Sequence, residues 1–104
     1  MEIKITDQNE TVNVALIGRF DTASFLEVNK MIEPVIAKAD KTIILDCGEL
    51  SYISSSGLRT FLTIRKAAAA KGGKVIVKDI STEIRQVFMM TGFLNLFEVV
   101  SSAE

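Results

Sequence analysis

Three consecutive hydroxyls, Ser54, Ser55 and Ser56, precede Gly57, Leu58 and Arg59 at the end of an apolar run. Oxygens placed where a helix begins can do chemistry with anions. The first amides of a helix lack intrahelical partners and point outward, and with the macrodipole they favour a negative group by several tenths of a kcal/mol or more. A phosphate on one of these serines would be tolerated there, adding roughly −1.5 to −2 charges and three acceptor oxygens without unfolding the helix. Such a junction suits a surface that is marked and unmarked. The same residues are also ordinary turn chemistry, since serine caps many helices and Ser-Gly is common where a strand meets a helix. Local physics leaves both readings open.

Covalent catalysis is a poorer use of these hydroxyls. A serine nucleophile needs a base within hydrogen-bond reach, and the chain contains no histidine, the commonest general base and the commonest metal ligand. A Ser-Lys arrangement would need a lysine beside the loop, whereas Lys41 and Lys74 flank strands. Cys47 stands alone, without a second cysteine, and is expected to be an inert buried thiol in a reducing compartment. No catalytic residue, metal or cofactor is therefore expected, and the chain is read as a binding protein and not an enzyme.

The partner class is narrowed by charge. A formal net charge of −1 and a pI near 5.5 supply no basic field for a phosphate backbone, so nucleic acid is not an expected partner. The start, Met1-Glu2-Ile3-Lys4, lacks the basic and apolar segments of a secretory signal, and no apolar run approaches the roughly 20 residues that span a bilayer. A cytoplasmic protein without membrane contact is expected.

The elements that must position the serines follow from periodicity. At 104 residues and 48% hydrophobic content, one domain over 1–104 is expected. Ile3 and Ile5 alternate with polar residues, Asp7 to Thr11 reads as a turn, and Val12 to Gly18 resumes the extended pattern. Phe25, Val28, Ile32, Val35, Ile36 and Ala39 recur at helical spacing, with Asp21 or Thr22 as cap and Pro34 predicted to kink or restart the helix. Thr42–Cys47 is a continuous apolar run expected of a central strand covered on both faces. Leu58, Phe61, Leu62, Arg65 and Ala69 mark a helix from Ser55 to Lys71, stopped at Gly72-Gly73. Arg59, Arg65, Lys66 and Lys71 follow its polar side, where they solvate the helix or meet an acidic partner. Lys74–Lys78 is a further strand. Ser81 caps a helix over Thr82–Thr91 that buries Ile84, Val87 and Phe88, and a short strand over Leu96–Val100 closes the chain. Met89, Met90, Phe93 and Leu94 are expected to be core before they are expected to be a partner surface. The order β-β-α-β-α-β-α(-β) implies an α/β fold: a mixed four- to five-stranded sheet with three to four helices.

Taken together, these fragments resemble the STAS domain, shared by bacterial anti-sigma factor antagonists and the cytoplasmic tails of sulfate transporters. Gly18-Arg19-Phe20-Asp21 resembles the family's Gly-x-x-Asp after the second strand, and Leu45-Asp46 followed by Tyr52 to Leu58 resembles its signature loop. Gly72-Gly73, Val87-Phe88 and Thr91-Gly92-Phe93 also fall in the family's places. The resemblance implies a STAS-type, SpoIIAA-like fold and an anti-sigma factor antagonist, phosphorylated on the serine before the Ser/Thr-Gly pair. That position is Ser55, with Ser56 and Ser54 as lesser candidates. Ser56 would more often be a cap, and Ser54 stands where many members carry aspartate. The implied partners are an anti-sigma factor that is also a serine kinase, of the histidine-kinase-like ATPase type, and a serine phosphatase. Asp21, Ser54, Ser55, Ser56, Gly57 and Arg59 are the expected contact residues, with Asp21 either shaping that surface or simply capping a helix. The chain is expected to be a monomer or weak dimer. The alternative circuit is a STAS regulatory or assembly subunit of a stress-signalling complex or a lipid or anion transport complex.

Overall fold

The computed structural model describes residues 1–102. The chain opens with a hairpin of β1 (Glu2–Gln8) and β2 (Thr11–Phe20), antiparallel in the register Ile3–Leu16 and Ile5–Val14. The turn is narrower than predicted, with Asn9 in the left-handed region at its tip (φ 54°), a conformation asparagine tolerates better than most residues. Then follow α1 (Phe25–Met31), α2 (Glu33–Ala37), β3 (Thr42–Ile53), α3 (Ser55–Lys71), β4 (Lys74–Lys78), α4 (Thr82–Thr91) and β5 (Glu98–Val100). The sheet runs β1-β2-β3-β4-β5, with every pair after the first parallel.

Pro34 breaks the predicted first helix as its chemistry requires. The helix is distorted at Ile32 (φ −90°, ψ −1°), and α2 restarts with Pro34 in its first turn, where the missing N–H has no intrahelical acceptor to lose. The buried side remains continuous across the break, through Val28, Ile32, Val35 and Ala39.

Two strand expectations need correction. β3 is covered on one face only: Ile43, Leu45 and Cys47 are buried, while Thr42, Ile44 and Asp46 between them are half-buried. An alternating burial pattern belongs to a sheet with helices on one side. β3 also runs six residues beyond Cys47, to Ile53. Its register against β2 slips between Ala15–Asp46 and Ile17–Glu49, and again between Gly18–Leu50 and Arg19–Tyr52. Such irregularities bend and twist a strand pair without ending it.

The core lies between the helices and the inner face of the sheet, with Phe20, Phe61 and Phe88 each at most 1% exposed. Phe61 and Phe88 meet edge to face at 6.1 Å, beside Phe93 and Phe97, a geometry favoured by the ring quadrupoles. The buried stripe of α3 is Leu58, Phe61, Ile64 and Ala68; Ala69, predicted to be on it, is exposed. The C-terminal cluster divides. Phe93 is buried and Leu94 packs against the core, whereas Met89 and Met90 face solvent at 64% and 86%.

Two basic residues of α3 tie elements together in addition to meeting water. Arg65 Nε donates to the Leu96 carbonyl at 2.8 Å, and Lys71 Nζ donates to the carbonyls of Ile36 and Ala37, closing the open end of α2. At the opposite end of the sheet from the serines, Asp7 accepts from both Lys38 and Lys41.

Candidate functional site

The two central strands deliver the site. β2 and β3 run parallel and finish side by side, with Phe20 opposite Ile53, and the Ser54 amide donates to the Phe20 carbonyl at 2.8 Å. Residues leaving the two strands, Asp21 on one and Ser54 on the other, are thus held as neighbours by the ladder itself. The slipped register of β3 carries the chain from the apolar run at Cys47 to this point.

Ser54 is the cap of α3. Its backbone is extended (φ −86°, ψ 172°), its Oγ accepts from the Gly57 amide at 3.2 Å, and it is 7% exposed. The first helical bond, from the Leu58 amide to the Ser54 carbonyl, follows at 2.9 Å. This corrects the expectation that Ser56 supplies the cap: Ser56 lies inside the first turn and is half-buried. With its oxygen already engaged, Ser54 is a poor acceptor of anything else. Serine and aspartate are near-equivalent as N-caps, so the departure from the resembled pattern keeps the helix start and removes one negative charge.

Gly57 explains why the helix starts there. It is buried, and a Cβ at this position would stand 2.8 Å from Ile53 Cγ1 and 3.0 Å from Phe20 Cγ. The backbone of the first turn rests directly on the ends of β2 and β3. With Ser54 and Gly57 facing in, Ser55 faces out: it is exposed, and its hydroxyl makes no hydrogen bond to protein among the described residues. Arg59, one turn further along, is exposed as well. The predicted set Ser54, Ser55, Ser56, Gly57 and Arg59 therefore divides into a buried anchor and an exposed face.

Asp21 takes the capping role. Its Oδ1 accepts from the Ser24 amide at 3.1 Å and the Ser24 hydroxyl at 2.8 Å, capping the 3-10 turn Thr22–Ser24. Those bonds, with the hydroxyl bond foremost, hold its carboxyl below the usual carboxylate range, because they favour the ionised form. Its place beside Ser54 puts a lasting negative charge at the edge of the site.

Sequence reasoning missed several neighbours. Arg19 stacks over the Tyr52 ring at 4.4 Å, within the range of a cation–π contact, just before the two strands end. Thr60 is buried and donates to Asn29 Oδ1 on α1 at 2.9 Å, fastening α1 to α3. One turn before Asn29, Leu26 is 80% exposed. The signal for Leu26 was present: it is a leucine on what the helical pattern makes the polar side of α1.

The chemistry available is presentation. No carboxylate or lysine hydrogen-bonds Ser55 among the described residues, so nothing in the site draws off its proton. Burial pushes the Cys47 thiol up to about 12, which keeps it protonated and unreactive at neutral pH. Among the described residues no cluster of carboxylates and thiols could hold a metal ion, and no helix is long and apolar enough to cross a membrane.

Comparison with known proteins gives a consistent picture. The family model for the STAS domain matches residues 2–104. BtrV of Bordetella bronchiseptica, assigned as an anti-sigma factor antagonist, is 32% identical over 86% of this chain and 77% of that protein. The anti-sigma-B factor antagonist of Staphylococcus aureus is 24% identical over 100% of this chain and 96% of that one. Among solved structures, the anti-sigma factor antagonist SpoIIAA in its unphosphorylated form superposes with a TM-score of 0.69 at 26% identity, covering 86% of this chain and 83% of that one. Its phosphorylated form, from Bacillus, gives 0.74 at 24% identity over 98% and 94%.

Proposed function

The chain belongs to the STAS domain family, and on that premise we propose that it is an anti-sigma factor antagonist, switched by phosphorylation of Ser55. In the unmodified state the exposed face around Ser55 binds an anti-sigma factor, and the sigma factor is freed. The anti-sigma factor is also the kinase: Ser55 Oγ attacks the terminal phosphorus of ATP, ADP leaves, and the hydroxyl proton passes to the kinase. A phosphatase hydrolyses the ester and resets the switch. The relatives' names support the first part of this cycle, and the existence of SpoIIAA in unphosphorylated and phosphorylated forms supports the second.

The observation that carries the reading is the contrast within four residues: Ser54 and Gly57 are buried and bonded, and Ser55 between them is open. A kinase can reach the hydroxyl, and a partner can lie flat on the first turn of α3. A dianion there would enter the interface without disturbing the anchor beneath it, so its effect is repulsion and not unfolding. Leu26 on α1, a helix fastened to α3 through Asn29 and Thr60, and Arg59 on α3 are exposed and offer an apolar and a charged contact to a partner.

The test uses the protein captured from native extract by this chain. Ser55→Ala should bind it as the unaltered chain does, and Ser55→Asp should bind at least about tenfold more weakly, since a carboxylate brought into an interface shaped around a neutral hydroxyl costs about 1.4 kcal/mol or more. Equal affinity of the two variants would remove the switch from Ser55.

A further inference from the structure

Resting on the reading that Ser55 carries the phosphate, we infer that Arg59 is its internal counter-ion: the phosphorylated side chain pairs with the guanidinium one turn along α3. Ser55 and Arg59 stand at i and i+4 on the same helix and both are exposed. Side chains so spaced lie about 5–6 Å apart at their Cβ atoms. A long arginine and the three oxygens of a phosphoserine easily close that gap into charge-assisted hydrogen bonds, which arginine can make in pairs. The polarity is also the favourable one, with the anion nearer the helix N-terminus and the cation following it.

Arg59 is available for this. Its side chain takes part in no hydrogen bond, ion pair or ring contact among the described residues, unlike Arg19 over Tyr52 and Arg65 on the Leu96 carbonyl. Competing charges are few. The first turn of α3 holds no acidic residue, and the capping position is the neutral Ser54. On the flanking elements the charged groups are Arg19 and Asp21 at the end of β2, Asp46 and Glu49 on β3, Glu27 and Lys30 on α1, and Glu33 on α2. Asp21 is engaged by Ser24 and repels the phosphate, which strengthens the preference for Arg59.

The consequence is a switch with two actions. Without phosphate, this surface presents one unpaired cation to the partner. With it, the cation is consumed and a net negative charge of roughly −0.5 to −1 remains after the pair forms. Modification thus moves the local charge by roughly −1.5 to −2, and a partner carboxylate that met Arg59 loses its contact in the same event.

The test places phosphoserine at position 55 during translation, so no kinase is required, and follows the ³¹P shift against pH in the folded protein. The second ionisation of the phosphate, near 6 in a free phosphoserine, should fall lower. Arg59→Gln should raise it by about half a unit, Arg59→Lys should retain most of the depression, and Lys66→Gln, two turns further along, should leave it in place. An Arg59→Gln titration that coincides with that of Lys66→Gln would overturn the inference. That result would leave the binding switch standing, and a cell in which Ser55 is never phosphorylated would sink the switch while leaving this titration unchanged.

Discussion

The starts of α3 and α4 are built on one plan and finished differently. Both follow a parallel strand, and both use an extended serine whose hydroxyl accepts from the amide three residues on: Ser54 from Gly57 at 3.2 Å and Ser81 from Ile84 at 3.1 Å. In α4 the first turn already contains Glu83, while in α3 it contains no acid. A helix start favours negative charge. The start of α4 therefore has a negative charge built in, whereas that of α3 is left neutral beneath an exposed hydroxyl. The difference between the two helix starts lies in one missing carboxylate and one open serine, not in the cap.

The largest test of that parallel is the third residue of each helix, which points inward in both. At α4 the position is filled by Ile84, 2% exposed, and Ile84→Ala should cost about 2–4 kcal/mol in urea unfolding through lost burial and a cavity. At α3 it is Gly57, where any side chain meets Ile53 and Phe20, and Gly57→Val should cost about 1–3 kcal/mol through overpacking. Opposite changes in size would thus destabilise equivalent sites. A neutral Gly57→Val would mean that the first turn of α3 is not seated on the strand ends, and that Ser55 is not held in a fixed place.

The caps come next in size. Ser54→Ala should cost about 1–2 kcal/mol, because the oxygen it removes is buried, and Ser81→Ala about 0.5–1 kcal/mol at a half-buried site. Ser54→Asp should recover most of the loss, since aspartate caps as well as serine does. Finding Ser56→Ala more damaging than Ser54→Ala would undo the comparison by moving the cap one residue pair into the helix.

These residues also show what could be read from the sequence. The Ser81 cap and the glycines ending both helices were legible because each sits alone at the end of a clear periodic pattern; Gly72 and Gly92 adopt φ of 81° and 82°, the left-handed geometry that glycine accepts freely. The cap of α3 was not legible, because three adjacent serines are equally suited and the choice is made by Gly57 packing on Phe20, thirty-seven positions away in sequence. The extension of β3 past Cys47 was hidden for a related reason. Backbone pairing with β2 continues there while the register slips, so the face alternation that announces a strand is lost. Ile44 misled in the other direction, since an apolar residue within an apolar run gives no hint that it lies on the uncovered face. Residues set by local periodicity were readable, and those set by contacts between distant segments were not.

The smallest effect separates the two aspartates that stand beside these helix starts. Asp21 is held below the ordinary carboxylate value of 3.8 chiefly by the Ser24 hydroxyl, and Asp79, two residues before Ser81, chiefly by the Ser102 hydroxyl. A carboxyl depressed in the folded state stabilises the fold above its unfolded value, and that contribution is lost as pH falls from there through the folded value. Carboxyl ¹³C titrations should therefore find both groups below 3.8, with Ser24→Ala returning Asp21 toward it and leaving Asp79 depressed, and Ser102→Ala doing the reverse. If Ser24→Ala left Asp21 unmoved, its ionisation would owe nothing to the Ser24 hydroxyl, and the Ser24 amide alone would hold it. With that bond intact, Asp21 stays charged at neutral pH, so on the proposed reading a phosphate at Ser55 is added beside a charge that is already fixed.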